Sequence, residues 1–233
     1  MILNRRSFFE KVAAFGLGFF VMVKGSRAWA KGLPSDPGTS SGETSGPDVI
    51  ALPPFEKNSP FTLDQALLDR KSTKRYDANR PLPMEAISRL LWATCGVNGL
   101  GAHRTIASAY SRFPTAVFVA LPTGVFLFEP SAHSLRRVIP EDIRPVINSQ
   151  PWSKDAGMSV LYVIDTDKVP PAKIEWVDIE IGSMGQNLYL EATALGLGSC
   201  WYSAINFGEV TRAVGLKKNQ MLRIAQAVGH ILA

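Results

Sequence analysis

One short apolar run constrains the fold of this chain more than any other part of its sequence. Residues 160–164 read VLYVI, with no charged side chain before Asp165. A strand with one solvated face alternates apolar and polar residues, whereas a strand buried on both faces is apolar throughout. The run therefore predicts a strand in the centre of a sheet.

The other periodic segments predict helices and further strands around this one. Apolar residues at helical spacing indicate helices, and alternating or short apolar runs indicate strands. The predicted helices are 62–69, 84–97, 177–198 and 208–216, and the further strands are 115–122, 125–130, 199–205 and 222–231. This order lacks the regular strand–helix alternation of a doubly wound sheet. We therefore expect an α+β layered domain.

The N-terminus has the composition of an export signal. Arg5 and Arg6 precede Phe8, and residues 12–23 carry no charge. This apolar run is too short for a membrane span, which needs about 20 residues, and no stable span is expected. The pattern resembles the twin-arginine signal, and Ala28 and Ala30 form a small-x-small cleavage site. The alternatives are an ordinary secretory signal or an uncleaved amphipathic anchor.

These features divide the chain into three parts. Residues 1–30 are the expected signal peptide, the Gly/Ser/Pro-rich residues 31–49 a flexible linker, and residues 50–233 the folded domain. We expect a periplasmic protein, or a membrane-associated one if the signal stays attached. The twin-arginine route carries proteins that have already folded, often around a cofactor, so the signal predicts a buried cofactor.

Charge and cysteine content exclude several classes of function. The formal net charge is +5, but residues 31–233 hold 20 basic and 19 acidic groups. A nearly neutral domain has no broad attraction for nucleic acid. The two cysteines, Cys95 and Cys200, cannot form a disulfide scaffold; we favour two buried thiols, with a single disulfide as the alternative. The three histidines lack zinc-site spacing, so no metal site is expected.

Three stretches carry candidate ligand-binding residues. Residues 70–75 place four cations and a serine in one turn, which suits a phosphate group, although a solvated loop is the commoner fate of such clusters. Residues 103–114 combine small and hydroxyl-bearing side chains before a strand. In residues 194–206, Gly196 and Gly198 permit close backbone approach beside Trp201 and Tyr202. Taken alone, the last two stretches are better explained as a loop and as a helix end with a core strand.

Taken together, the three stretches resemble the nitroreductase-like flavoproteins. LLDRKSTKRY (67–76) contains the motif R-x-S-x-R/K-x-[FY], and GSMGQNLYLEATALGLGS (182–199) contains G-x-x-x-Q-N and A-x-x-L-G-L-G-S. HRTIASAYSRFP (103–114) is similar to R-x-x-P-S-A-G-x-x-Y-P of the SagB-type dehydrogenase branch, with Ala107 in place of proline and Tyr110 in place of glycine. GVFLFEPSAHSL (124–135) matches the hairpin of that branch.

The resemblance implies FMN held noncovalently at the interface of a homodimer, in a mainly antiparallel sheet flanked by helices. It assigns the ribityl phosphate and pyrimidine edge to Arg70, Lys71, Ser72 and Lys74. It assigns Ser108 to the flavin of the partner subunit, and Gly198, Ser199 and the stretch through Ser203 to the flavin ring. Many family members carry a Lys or Arg after the final glycine, but this chain ends in GHILA.

The implied activity is two-electron transfer, as hydride, between the flavin and a small organic substrate. The cofactor supplies this chemistry and the protein supplies binding and electrostatics, so no catalytic side chain is assigned. Lys71 or Lys74 is the candidate cation beside the flavin N1. Nicotinamide is scarce outside the cytoplasm, so a quinol, a redox protein and the substrate itself remain open as electron donors. The alternatives are a noncatalytic flavin or tetrapyrrole carrier and an interaction protein.

Overall fold

The computed structural model describes residues 48–55, 59–99, 103–169 and 173–232. The predicted signal peptide, and the predicted linker as far as residue 47, lie outside the described residues. The described structure starts with a short strand at Val49, next to the expected start of the domain at residue 50.

Among the described residues, seven strands form one sheet in which every neighbouring pair is antiparallel. The strands are β1 (Val49–Ala51), β2 (Thr115–Leu121), β3 (Gly124–Glu129), β4 (Ser134–Ile139), β5 (Met158–Asp165), β6 (Leu197–Tyr202) and β7 (Gln220–His230). Their order is β1-β4-β3-β2-β5-β7-β6. The predicted α+β class with a mainly antiparallel sheet is confirmed.

In the part of the chain that the structure describes, five α-helices flank the sheet. They are α1 (Leu63–Asp69), α2 (Met84–Cys95), α3 (Arg144–Ile147), α4 (Ile174–Ala194) and α5 (Phe207–Val214). Thr62, the first residue of the predicted helix 62–69, is the N-cap of α1, and its hydroxyl accepts a hydrogen bond from the Gln65 N–H at 3.1 Å. Helix α5 ends at Gly215, whose φ of 68° is a left-handed conformation that glycine adopts without strain.

The helices cover both faces of the sheet and so form three layers. On one face, Val160 and Tyr162 of β5 lie in a core with Leu90 of α2 and Leu188 of α4. On the other face, Leu161 of β5 lies in a second core that includes residues of α3 and α5. Seven of the eight residues of β5 are buried, since both faces of this strand are covered. The central position predicted for this strand is correct.

The structure also corrects several predicted element bounds. The helix predicted at 177–198 starts earlier, at Ile174, and ends at Ala194, so that Gly198 belongs to β6. Strands β1 and β4 and helix α3 were not among the predicted elements. Strand β1 and helix α3 have only three and four residues, too short a pattern to recognise. None of the helices in the described ranges is long and apolar enough to cross a bilayer.

Candidate functional site

The backbone of the cationic segment, residues 70–75, is attached to the edge of the sheet. Ser72 forms a parallel bridge with Ser199 of β6, and the Thr73 N–H donates to the Ser199 carbonyl at 2.9 Å. At its other end, the Arg75 carbonyl accepts from the Leu232 N–H at 3.1 Å. Because hydrogen bonds hold the backbone at both ends, the positions from which the side chains of this segment extend are fixed.

The side chains of this segment remain open to solvent in the single chain. Lys71, Ser72, Lys74 and Arg75 are exposed, and Arg70 is half-buried at the end of α1. The structure thus brings the four predicted residues of the segment to one edge of the sheet. Their positive charge is available to an anion.

Gly198 lets the cationic segment lie against β6. A Cβ atom at this position would be 2.9 Å from the Thr73 Cβ, closer than side chains pack. Glycine at 198 is therefore required for the segment itself to approach the strand. Gly196 has a separate role, since its φ of 69° forms the turn between α4 and β6.

Ser199 contributes its backbone, but not its side chain, to this edge. Its hydroxyl points into the core, where it accepts from the Gln226 amide at 2.9 Å. The Gln226 carbonyl oxygen in turn accepts from the Tyr162 hydroxyl at 3.0 Å, and all three residues are buried. The Ser199 hydroxyl therefore belongs to an internal hydrogen-bond network, and any ligand at this edge contacts the strand through its main chain.

A loop before β5 borders the site and was not recognised from the sequence. The Ser149 N–H donates to the Ala204 carbonyl at 2.9 Å, which holds this loop beside Ser203. Trp152 follows in a short 3-10 helix (Pro151–Asp155), and the Lys74 Nζ lies 5.5 Å from the centre of its indole ring. The feature of the sequence that could have indicated this loop is a tryptophan within the otherwise polar stretch NSQPWSKD (148–155).

Trp152 connects the cationic segment to an aromatic cluster behind β6. Its ring lies 5.5 Å from that of Tyr202 in an edge-to-face arrangement and 6.3 Å from that of Tyr76. The Tyr76 hydroxyl donates to the Thr73 carbonyl at 2.5 Å. Burial raises the pKa of both tyrosines well above the ordinary value, so that both stay neutral at physiological pH.

Ser108 lies at a different place in the same chain. It lines a small cavity with Val177 near the start of α4, and its hydroxyl accepts from the Phe113 N–H at 2.9 Å. The cationic segment instead contacts Tyr189, which is twelve residues further along this helix, or about 18 Å. One copy of the chain therefore does not bring Ser108 to the cationic segment.

The loop after Ser108 has an unusual backbone. Tyr110 and Ser111 have φ angles of 56° and 53°, in the left-handed region that favours glycine. The Tyr110 side chain is 74% exposed, with its ring 5.7 Å from that of Trp176. Tyr110 stands where the SagB-type motif has glycine, and the chain keeps the conformation that glycine would adopt.

Both cysteines are buried as free thiols, as the sequence favoured. Burial raises the pKa of the Cys95 thiol to about 12, which keeps it protonated and unreactive. Burial also raises the pKa of Cys200, although the nearby Lys74 ammonium and hydrogen bonds with Tyr189 and Ser72 oppose the shift.

Among the described residues, no group of His, Cys, Asp and Glu could hold a metal ion.

Comparison with known proteins agrees with this arrangement. The model of the nitroreductase family matches residues 67–230, which is most of the chain. A candidate nitroreductase of Methanocaldococcus jannaschii is 25% identical over 187 residues, which are 74% of this chain and 92% of the relative.

Solved structures give the same result. A candidate nitroreductase from Ralstonia eutropha superposes with a TM-score of 0.75 at 30% identity, over 80% of this chain and 90% of the other. A candidate nitroreductase from Desulfovibrio desulfuricans, solved in complex with FMN, has the same fold, with a TM-score of 0.55 at 21% identity over 76% of this chain and 88% of the other. The chain belongs to the nitroreductase family of oxidoreductases.

Proposed function

We propose that the chain is an exported, homodimeric oxidoreductase that binds FMN noncovalently and transfers two electrons to or from a small organic substrate. The observation that carries this proposal is the cationic segment. Its backbone is fixed to β6, while Lys71, Ser72 and Lys74 are exposed at the same edge. A flavin phosphate offers the charge-assisted hydrogen bonds that such a group of donors requires.

The residues present at this edge fit FMN. Arg70 and Ser72 provide a guanidinium and a hydroxyl for phosphate oxygens, at the positions of the family motif. The main chain of 198–199 and the exposed Ser203 provide a flat border for a ring system. The family membership and the FMN complex of the Desulfovibrio protein agree with this assignment.

The homodimer is supported by exposed apolar surface and by the position of Ser108. Leu63 and Leu67 of α1 are 63% and 52% exposed, and Ile179 of α4 is 68% exposed. Ile179 and Gly182 border a groove of about 540 Å³ beside Ala107, next to Ser108. A second copy would cover these surfaces and bring its own Ser108 to the flavin that the first copy holds.

FMN, when bound, supplies the hydride chemistry. The residues of the chain bind, orient and adjust charge around it. Lys74, held over the Trp152 ring, keeps a positive charge beside the site that favours an electron-rich ligand. Arg70 and Ser72 fix the position of the phosphate and so the position of the ring. We assign no proton transfer to a side chain.

The proposal also places the chain in the SagB-type dehydrogenase branch of the family and assigns it to the twin-arginine export route. The motif of that branch spans the β3–β4 hairpin, where Pro130 and His133 form the turn. The His133 Nε2 is 2.7 Å from the Ser88 hydroxyl, so the motif histidine ties the hairpin to α2. Arg5, Arg6 and Phe8 support export by the twin-arginine route.

The experiment is to express the full chain with its signal, purify the exported protein and identify any flavin that heat releases. We expect one FMN per chain and reduction of a nitroaromatic or quinone acceptor by the reduced protein. Replacing Arg70 and Lys74 with methionine should abolish FMN retention. Arg136→Met, at the opposite side of the sheet, should leave it unchanged. Bound FMN without turnover would favour a noncatalytic carrier, and absence of flavin would refute the proposal.

A further inference from the structure

Tyr189 of α4 lies beneath the cationic segment and contacts both it and β6. Its side chain is only 5% exposed. Its hydroxyl accepts from the Trp201 N–H at 2.9 Å and forms a second hydrogen bond with the Ser72 hydroxyl at 3.1 Å. One phenol group therefore links the helix, the edge strand and the cationic segment.

The edge position of β6 explains why a hydroxyl is needed here. Strand β7 pairs with one side of β6, and the cationic segment pairs with the other side only at Ser199. The Trp201 N–H is the next outward-facing donor along the strand, two residues further on. Tyr189 supplies the acceptor at this point, since an unpaired buried N–H would be unfavourable.

The aromatic ring of Tyr189 makes a separate contact with the same segment. The Arg70 guanidinium carbon lies 5.3 Å from the ring centre, within the range of a cation–π interaction. The ring thus holds the first residue of the R-x-S motif and the hydroxyl holds the third. Arg70 and Ser72 are the two residues whose side chains the proposed function assigns to the phosphate.

We propose that Tyr189 is a positioning residue that sets Arg70 and Ser72 in the geometry that recognises the phosphate of FMN. This inference rests on the proposed function. It predicts that Tyr189 affects recognition of the phosphate and not of the isoalloxazine ring. Riboflavin, which carries the same ring system but no phosphate, separates the two effects.

The test compares FMN and riboflavin binding to the flavin-free form of the purified protein by fluorescence titration. In Tyr189→Phe we expect the Kd for FMN to rise about tenfold and the Kd for riboflavin to change less than twofold. Tyr162→Phe is the matched control, because it also removes a buried phenol hydroxyl bonded near β6 but does not contact the cationic segment. It should leave the ratio of the two Kd values unchanged.

Ser72→Ala shows whether Tyr189 acts through its hydroxyl partner. The alanine variant should itself weaken FMN binding, and adding Tyr189→Phe to it should cost less than Tyr189→Phe costs in the wild type. Equal losses for FMN and riboflavin, or an unchanged FMN affinity, would overturn the proposal. A wild-type protein that binds neither flavin would instead refute the proposed function.

A measurement on the wild type covers the case in which Tyr189→Phe does not fold. The chain has five tyrosines, and the Cζ resonance of each can be followed after labelling with ¹³C-tyrosine. We expect the Tyr189 signal to shift on addition of FMN or inorganic phosphate and to stay in place with riboflavin. A Tyr189 signal that does not respond to the phosphate-bearing probes contradicts a positioning role.

Discussion

Substitution of Gly185 by alanine tests how closely α4 packs against the site. Gly185 lies on the buried side of α4, and a Cβ there would overlap the indole of Trp201, with Cε2 and Cη2 only 2.5 Å away. Carbon atoms pack favourably at about 3.5–4.0 Å, so the ring must move by more than an ångström. Trp201 cannot retreat freely, because its ring lies 5.1 Å from that of buried Tyr162.

Two opposing effects determine the expected change in the free energy of unfolding of Gly185→Ala. Alanine is favoured over glycine within a helix by about 1 kcal/mol. Overpacking of a filled core costs about 1–3 kcal/mol, and this overlap belongs at the upper end of that range. The difference leaves Gly185→Ala destabilised by about 2 kcal/mol. For a domain of this size the corresponding fall in Tm is about 4–8 °C.

The assay is urea unfolding followed by circular dichroism at a fixed protein concentration. Gly208→Ala is the matched control, since a Cβ at that exposed helical position meets no atom within 4 Å; it should be neutral or stabilising, by at most about 1 kcal/mol. Trp201→Phe removes the atoms that overlap, so Gly185→Ala should cost much less in that background. A neutral or stabilising Gly185→Ala would show that helix propensity prevails and would refute the packing argument.

Three further predictions concern the dimer, the electrostatics and the thiols. Gly182→Trp should convert the proposed homodimer to monomers in sedimentation without lowering the stability of the monomer, because a Cβ at this position meets no atom within 4 Å. Trp152→Leu removes the contact that holds Lys74 beside the site, so the two-electron potential of FMN bound there should fall in a spectroscopic titration. Cys95 and Cys200 should not react with a thiol reagent at neutral pH until the protein unfolds, after which two thiols should react.

Some elements of the fold can be predicted from the sequence because the types of residue in them are compatible with only one environment. Residues 160–164 carry no side chain that could face water, so the strand must lie between two layers. The N-cap at Thr62 is set by local chemistry that does not depend on the rest of the chain.

Other elements depend on tertiary contacts that no local pattern shows. Strand β1 has only three residues and exists because it pairs with β4, 85 residues away along the chain. The boundary of α4 was misplaced because the sequence Ala-Leu-Gly-Leu-Gly continues its apolar spacing. The chain leaves the helix at Gly196, and Gly198 lies in the strand beyond it.

The sequence predicted the charged residues of the candidate site but not the residues that hold them in place. The motif identified Arg70, Ser72 and Lys74, since a cluster of cations beside a hydroxyl is visible in the sequence. It did not reveal Tyr189 or Trp152, which look like ordinary apolar residues and acquire a role only through spatial contact with the segment. It also assigned Ser199 to the ring border, although the Ser199 hydroxyl bonds to Gln226 in the core.

The absorbance spectrum of the purified protein tests the central claim most directly. A flavin held by the cationic segment should give absorption bands in the blue and the near ultraviolet, with an intensity that corresponds to one FMN per chain. A reductant should bleach these bands when it has supplied two electrons per flavin. A colourless protein that takes up no FMN when the cofactor is added would contradict the account.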